Sequence, residues 1–125
     1  MTHDLRLGIE EMDSVHEAYL DLLKGLQEKQ GVDLDLFAQL IEETKSHFLQ
    51  EEKLMMKHLY PERELHTGDH VQLIDEMESF FKMASTMPPM ARSFIDSYAY
   101  DKFRRHTMFY DLDLAKHLRK ARDAH

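Results

Sequence analysis

The sequence predicts an all-α protein, an up-down-up-down antiparallel four-helix bundle preceded by an extended N-terminal arm. Apolar residues recur at intervals of three and four along most of the chain, which is typical of amphipathic helices. Only four glycines and three prolines occur among the 125 residues. No alternating apolar and polar run is long enough to indicate a β-strand.

Each break between the predicted helices carries its own stop or start signal. Gly31 ends the first helix, and Asp33 caps the second. Pro61 stops the second helix and suits the first position of the third. The pair Pro88-Pro89 separates the third helix from the fourth. The predicted helices span residues 9–30, 34–59, 61–86 and 90–118, after an arm formed by residues 1–8.

Composition narrows the class of protein. A chain of 125 residues that is 42% apolar suffices for one core, so we expect a single domain over residues 1–125. The net charge of −8 argues against a nucleic-acid partner. The absence of cysteine excludes disulfides, thiolate metal sites and thiol catalysis. Neither a membrane-spanning run nor a signal peptide is evident, so we expect a cytoplasmic protein with no membrane partner.

Five of the nine histidines and two acidic residues fall on the core-facing sides of the predicted helices. A buried imidazole or carboxylate is costly unless a partner satisfies it. Counting along each helix at 1.5 Å per residue places all seven in one layer, roughly 8–18 Å from one end of an antiparallel bundle. Such side chains on four helices predict a shared metal site. The candidate ligands are His16, His47, Glu51, His66, His70, His106 and Asp111.

The ligand set indicates two metal ions rather than one. Five imidazoles exceed the needs of a single tetrahedral zinc ion, and each of the two carboxylates can bridge a pair of ions. If both ions are six-coordinate, the imidazoles, the bridging carboxylates and one bridging oxygen from solvent leave a single position open. One open position suits a small molecule that binds to one of the ions.

The spacing between His106 and Asp111 does not fit a regular α-helix. Five residues turn the two side chains about 140° apart on an ideal helix. Both side chains reach the same layer only if the helix widens locally into a π-like turn or if one side chain reaches off the helix axis. The sequence leaves both alternatives open.

Three motifs form one combined pattern along the chain. The central motif is His47-Phe48-x-x-Glu51-Glu52-x-x-Met55-x-x-x-x-Tyr60-Pro61-x-x-x-x-His66-x-x-x-His70. Before it stand Leu7-Gly8-Ile9 and Asp13-x-x-His16, and after it His106-x-x-x-x-Asp111. The pattern resembles the hemerythrin family, most closely its single-domain bacterial members, and the similarity covers nearly the whole chain.

The resemblance implies a non-heme diiron protein that binds dioxygen reversibly. Its cofactors would be two iron ions per chain, bridged by carboxylates and by a solvent-derived oxygen. Carried over by position, it implies one iron at His66, His70 and His106, a second iron with the open position at His16 and His47, and bridges from Glu51 and Asp111.

Three residues depart from the family pattern. Val15 stands where the family usually has glutamine, Lys102 where tryptophan is common, and Thr107 where an aliphatic residue is usual. These replacements predict a more polar pocket around the open position. Lys102 has two interpretations, because its stem can cover apolar surface while the ammonium reaches solvent, or the ammonium can approach the bound ligand.

Three functions remain open from the sequence. The first is reversible dioxygen binding for transport, storage or delivery, with no catalytic residue. The second is a diiron enzyme acting on peroxide or nitric oxide, with Lys102 or Tyr110 supplying a proton. The third is an oxygen-sensing module that works with a separate protein partner, which the sequence does not identify. The sequence favours binding over catalysis.

Overall fold

The computed structural model describes residues 7–123 and is all-helical over that range, with no strand there. The first three helices are α1 (Glu10–Glu28), α2 (Leu34–Lys57) and α3 (Arg63–Thr86). Residues 88–123 contain α4 (Pro88–Ser93), the π-helix π1 (Phe94–Tyr98), α5 (Ala99–His106), the π-helix π2 (Thr107–Asp111) and α6 (Leu112–Asp123). Of the predicted arm, residues 1–6 lie outside the described residues.

The loops between the helices follow most of the signals in the sequence, but α3 begins at Arg63 with Glu62 as its N-cap, so the prediction of Pro61 as its first position was wrong. Asp33 caps α2, where its side chain accepts a hydrogen bond from the backbone N–H of Leu36 at 3.0 Å. Gly31 lies just before it with a φ of 71°, a conformation that glycine adopts without strain. The fourth helical stretch begins at Pro88, not at residue 90 as predicted, because proline at a helix start loses no hydrogen bond.

The end of α2 forms a Schellman motif with a leucine in the position that usually holds glycine. The backbone N–H of Tyr60 donates to the carbonyl of Met55 at 2.9 Å, and that of Leu59 donates to the carbonyl of Met56 at 3.3 Å. Leu59 has a φ of 50° and is 82% exposed. Its Cβ therefore carries the steric cost of the left-handed region without a packing gain.

The two π-helices lie within one continuous stretch, since the backbone stays right-handed and helical at each junction. In π2 the N–H of Leu112 donates to the carbonyl of Thr107, five residues back. Of the two alternatives that the sequence leaves open, the structure has the local widening between His106 and Asp111. π1 begins at Phe94 and was not predicted from the sequence; there the N–H of Ala99 makes the same kind of bond, to the carbonyl of Phe94.

Side chains of α1 satisfy backbone groups around π1. The amide of Gln27 donates to the carbonyl of Ile95 at 3.0 Å, and the hydroxyl of Tyr19 donates to the carbonyl of Ala99 at 3.2 Å. Widened turns disturb the regular ladder of backbone hydrogen bonds, and side chains can serve the carbonyls concerned. These two bonds also attach α1 to residues 88–123.

Two apolar clusters flank a polar layer. One cluster contains Leu26, Phe37 and Phe94, and the other contains Met12 and Leu118. Along α1, α2 and residues 88–123, the polar layer falls between the positions that supply the two clusters. Across residues 7–123, no helix combines the length and the apolar character needed to cross a bilayer.

Candidate metal centre

All seven residues singled out in the sequence meet in this polar layer. Each is buried, with no more than 4% of its surface exposed. α1 supplies one of them, α2 and α3 supply two each, and the last two stand at the ends of α5 and π2. Their side-chain nitrogen and oxygen atoms form two groups: His66, His70, His106, Glu51 and Asp111, and then His16, His47, Glu51 and Asp111.

The first group, here called the three-histidine group, has five donor atoms with regular spacing. Oε1 of Glu51 lies 2.9 Å from Nε2 of both His66 and His70. Oδ1 of Asp111 lies 2.9 Å from Nε2 of both His66 and His106. Two ligands at right angles on an ion, each about 2.1 Å from it, stand about 3.0 Å apart. The spacing therefore fits five ligands around one six-coordinate ion.

The second group, here called the two-histidine group, uses the other oxygen of each carboxylate. Nε2 of His16 lies 2.9 Å from Oδ2 of Asp111, and Nε2 of His47 lies 2.7 Å from Oε2 of Glu51. Each carboxylate thus directs one oxygen to each group. This is the arrangement of two bridging carboxylates, and it leaves the two-histidine group one donor short of its neighbour.

Several buried polar atoms of this cluster have no hydrogen-bond partner among the described residues. They include Nε2 of His47, Oε2 of Glu51 and Oδ1 of Asp111. Nε2 of His47 is close to Oε2 of Glu51, yet the two atoms are not aligned as donor and acceptor. Buried groups left in this state are costly, and a cation between them removes the cost. The donor set therefore fits metal ions.

Two of the imidazoles are held from behind by carboxylates. Nδ1 of His70 lies 2.9 Å from Oε2 of Glu52, and Nδ1 of His106 lies 2.6 Å from Oδ2 of Asp69. In each pair the ring N–H donates to the carboxylate, which leaves the Nε2 lone pair free for a metal. Nδ1 of His66, His16 and His47 is buried without such a partner among the described residues.

The electrostatics of the metal-free cluster favour bound protons. Burial lowers the pKa of His16, but its hydrogen bond with Asp111 and the nearby charge of Glu51 outweigh this and raise it to about 9. Burial and the charge of Glu51 raise the pKa of Asp111, but His106 and His16 outweigh them and lower it to about 2. The two carboxylates stay ionised, and protons on the imidazoles compensate their charge when no metal does so.

Aromatic rings enclose the cluster. The ring of Phe48 stacks on His70 at a centroid distance of 3.8 Å, and Phe103 meets the ring of His16 edge-on at 5.3 Å. Phe48 and Phe103, with Tyr19 and other residues, also line a cavity of about 10 Å³. That volume is close to the smallest that holds one water molecule.

Three further residues that the sequence analysis singled out take different positions. The ammonium of Lys102 pairs with the carboxylate of Glu76, and about a third of the lysine side chain is exposed. Its side chain also lines the small cavity. Thr107 is fully buried, and its hydroxyl has no partner among residues 7–123. The ring of Tyr110 stacks on His106 at a centroid distance of 5.6 Å.

Sequence reasoning missed the two supporting carboxylates. Glu52 directly follows Glu51 in the central motif, so its place next to a predicted ligand could have identified it. Asp69 is separated from His106 by 37 positions, and only the packing of α3 against α5 brings them together. No helix spacing in a single sequence identifies such a pair.

The fold and the site together define the class: an all-helical protein with a buried cluster of histidine, glutamate and aspartate side chains that can hold metal. Comparisons of the chain with protein-family models, with curated proteins and with solved structures found no match. The class therefore rests on the helices and on the geometry of the cluster.

Proposed function

We propose that this protein is a hemerythrin-like diiron protein that binds dioxygen reversibly, for transport, storage or delivery. One observation carries the proposal: two adjacent groups of ligand atoms share both Glu51 and Asp111, with one carboxylate oxygen directed to each group. A bridging carboxylate binds two ions in this way, one through each of its oxygens. A site for one ion does not need this arrangement. We also propose that the four helical stretches are arranged with up-down-up-down topology.

The donor set supports iron as the metal. All donors are imidazole nitrogens and carboxylate oxygens, which suit six-coordinate first-row ions, whereas zinc sites use three or four protein ligands. A bound pair of ferrous ions would supply the two electrons for reversible reduction of dioxygen. His66, His70 and His106 would hold one ion, and His16 and His47 would hold the other.

The two-histidine group has space for an external ligand beside it. The two-histidine group has one protein donor fewer, so it is the group with room for an external ligand. Phe103 packs against His16 and Phe48 against His47, and both phenylalanines line the small cavity. None of the seven candidate ligands lines that cavity, whereas His47 and Glu51 line a separate pocket of about 270 Å³.

The positions of Lys102 and Tyr110 favour binding over catalysis. An enzyme acting on peroxide or nitric oxide needs a proton donor directed at the bound ligand. The Lys102 ammonium is instead held by Glu76. Tyr110 stacks on His106, in the three-histidine group, rather than on the rings of the group with room for a ligand.

The proposal is tested by loading the protein with iron and measuring its reaction with oxygen. Elemental analysis should approach two irons per chain. The reduced protein, mixed with dioxygen in a stopped-flow spectrometer, should form an oxygenated spectrum that reverts when the oxygen is removed under argon.

A Glu51→Ala variant removes a shared carboxylate and should lose both the iron pair and the spectrum, whereas a Glu43→Ala control on the exposed side of the same helix should keep them. One iron per chain, or zinc alone, would overturn the diiron assignment. Oxidation without recovery would overturn reversible binding and favour the enzyme.

A further inference from the structure

The two groups of ligands differ in how their imidazoles are supported. In the three-histidine group, Glu52 holds the ring of His70 and Asp69 holds the ring of His106, at 2.9 and 2.6 Å. In the two-histidine group, Nδ1 of His16 and Nδ1 of His47 are buried without a partner among the described residues. The carboxylate support therefore lies on one side of the cluster only.

A carboxylate behind a ligating histidine has two physical effects. It fixes the tautomer, because the ring N–H must face the carboxylate and the other nitrogen then presents its lone pair to the metal. It also makes that nitrogen a stronger donor, since negative charge behind the ring increases its electron density. Asp69 and Glu52 retain 22% and 34% side-chain exposure, so both carboxylates stay in contact with solvent.

The number of donor atoms also favours tighter metal binding by the three-histidine group. The three-histidine group offers five donor atoms and the two-histidine group offers four. The ring of His70 is also confined by Phe48, which stacks on it nearly parallel, with 7° between the planes. The three-histidine group is thus both richer in donors and better held before any metal arrives.

We propose that Asp69 and Glu52 are positioning residues that make the three-histidine group the tighter metal site, so that the chain takes up its two ions in sequence. The inference rests on the two-ion site of the proposed function. The first ion enters the three-histidine group, and the second completes the two-histidine group. The ion with room for an external ligand is therefore the one that the chain binds last and releases first.

The test uses Co(II) alone as the probe and the metal-free full chain as the protein. Calorimetric titration should resolve two dissociation constants, and native mass spectrometry at one Co(II) per chain should find mainly singly loaded chains. A His47→Gln variant should keep the tight constant and lose the weak one, and a His70→Gln variant should lose the tight one.

Asp69→Asn and Glu52→Gln keep the size of each side chain and remove its charge. Each should weaken the tight constant by about ten-fold or more, because supporting carboxylates typically contribute 10- to 100-fold to metal affinity. Each should leave the weak constant nearly unchanged. A merely structural defect would weaken both constants together, since the two groups share the same helices and the same two bridging carboxylates.

The matched control is Glu78→Gln, which also removes one carboxylate charge from α3. Glu78 pairs with Lys45 at 3.2 Å and has no contact with a ligand, so both constants should stay close to those of the parent. Melting of each metal-free variant, followed by circular dichroism, verifies that it folds.

Three results would overturn the inference: a single class of two equal sites, a mixture of empty and doubly loaded chains at one Co(II) per chain, or a tight constant that Asp69→Asn and Glu52→Gln do not change. Failure of the proposed function is distinguishable. If two ions bind in sequence but iron-loaded protein does not take up dioxygen reversibly, the function fails and the loading order stands.

Discussion

Nε2 of His70 lies 3.2 Å from Nε2 of His106, while the Nδ1 atom of each ring faces a carboxylate. When both Nδ1–H groups donate, two Nε2 lone pairs face each other, which is unfavourable unless a cation lies between them. A single proton between the two Nε2 atoms can relieve this repulsion. The same proton cannot also compensate the charges of Glu51 and Asp111, whose oxygens lie close to the same two rings. The arrangement is that of a polyvalent cation site.

Metal removal should lower the stability of the protein strongly. An ion present at about 1,000 times its dissociation constant adds about 4 kcal/mol to the free energy of unfolding. For a chain of this length, that corresponds to a rise in melting temperature of roughly 10–20 °C. Calorimetry with and without a chelator measures the difference. Equal melting temperatures would show that the cluster holds no structural metal, and Glu51→Ala should show no metal-dependent rise.

The metal-free and metal-loaded forms should respond to pH in opposite directions. The raised pKa of His16, about 9, gives the metal-free fold a stabilisation that is complete below its ordinary value of 6.5 and is lost as the pH rises through 9. The lowered pKa of Asp111, about 2, gives a stabilisation that is present above 3.8 and is lost as the pH falls through 2. The metal-free chain should therefore be most stable between pH 3.8 and 6.5.

Metal binding reverses the trend above pH 6.5, because protons and metal compete for the same nitrogen of His16. The apparent metal affinity should rise with pH across the range in which the metal-free fold weakens. Melting curves below pH 6.5 and near pH 9, with and without metal, test both statements. A metal-free chain that gains stability from pH 6.5 to 9 would contradict the assignment of protons to the imidazoles.

Leu59→Gly should stabilise the protein by about 1 kcal/mol, because Leu59 stands in the left-handed region where a Cβ is unfavourable. The leucine is largely exposed, so the substitution removes little packing. The matched control is Leu49→Gly, which changes an exposed leucine inside α2 and should destabilise by about 1 kcal/mol. Chemical denaturation of the three proteins measures both values, and a destabilised Leu59→Gly would contradict the prediction.

Lys102→Met should leave the autoxidation rate of the oxygenated protein unchanged. The ammonium that the substitution removes is bound to Glu76, and methionine retains much of the apolar stem that lines the small cavity. Lys45→Met, which removes a lysine paired with Glu78, is the matched control and should behave identically. Stopped-flow and slow absorbance decay measure the rate. Autoxidation several-fold slower in Lys102→Met alone would mean that the ammonium reaches the bound ligand.

The sequence was informative wherever a local pattern controls the structure. The Asp33 cap and the order of the helices follow from capping chemistry and from the apolar pattern, and angles along a helix left the widened turn before Asp111 as one of two alternatives. The meeting of seven polar side chains in one layer follows from counting residues from the helix ends.

Features that depend on packing between distant elements were not predictable in this way. π1 depends on how Tyr19 and Gln27 of α1 meet the carbonyls of Ala99 and Ile95. The left-handed turn at Leu59 was missed because leucine rarely adopts it. The support of His106 by Asp69 requires that α3 and α5 are already in contact.

The widened turn π2 also lets the chain contain one extra residue without rotating its last helix. A π-turn accommodates one extra residue within a single turn, so the helix beyond it emerges facing the same way as before. Leu114 and Leu118 are therefore fully buried, although the path to them from His106 is one residue longer than a regular helix requires. Phe109, the most exposed aromatic residue of the turn, could be deleted and the turn would close to an ordinary α-helix. One residue can therefore be gained or lost at this point without changing which side of the last helix faces the core.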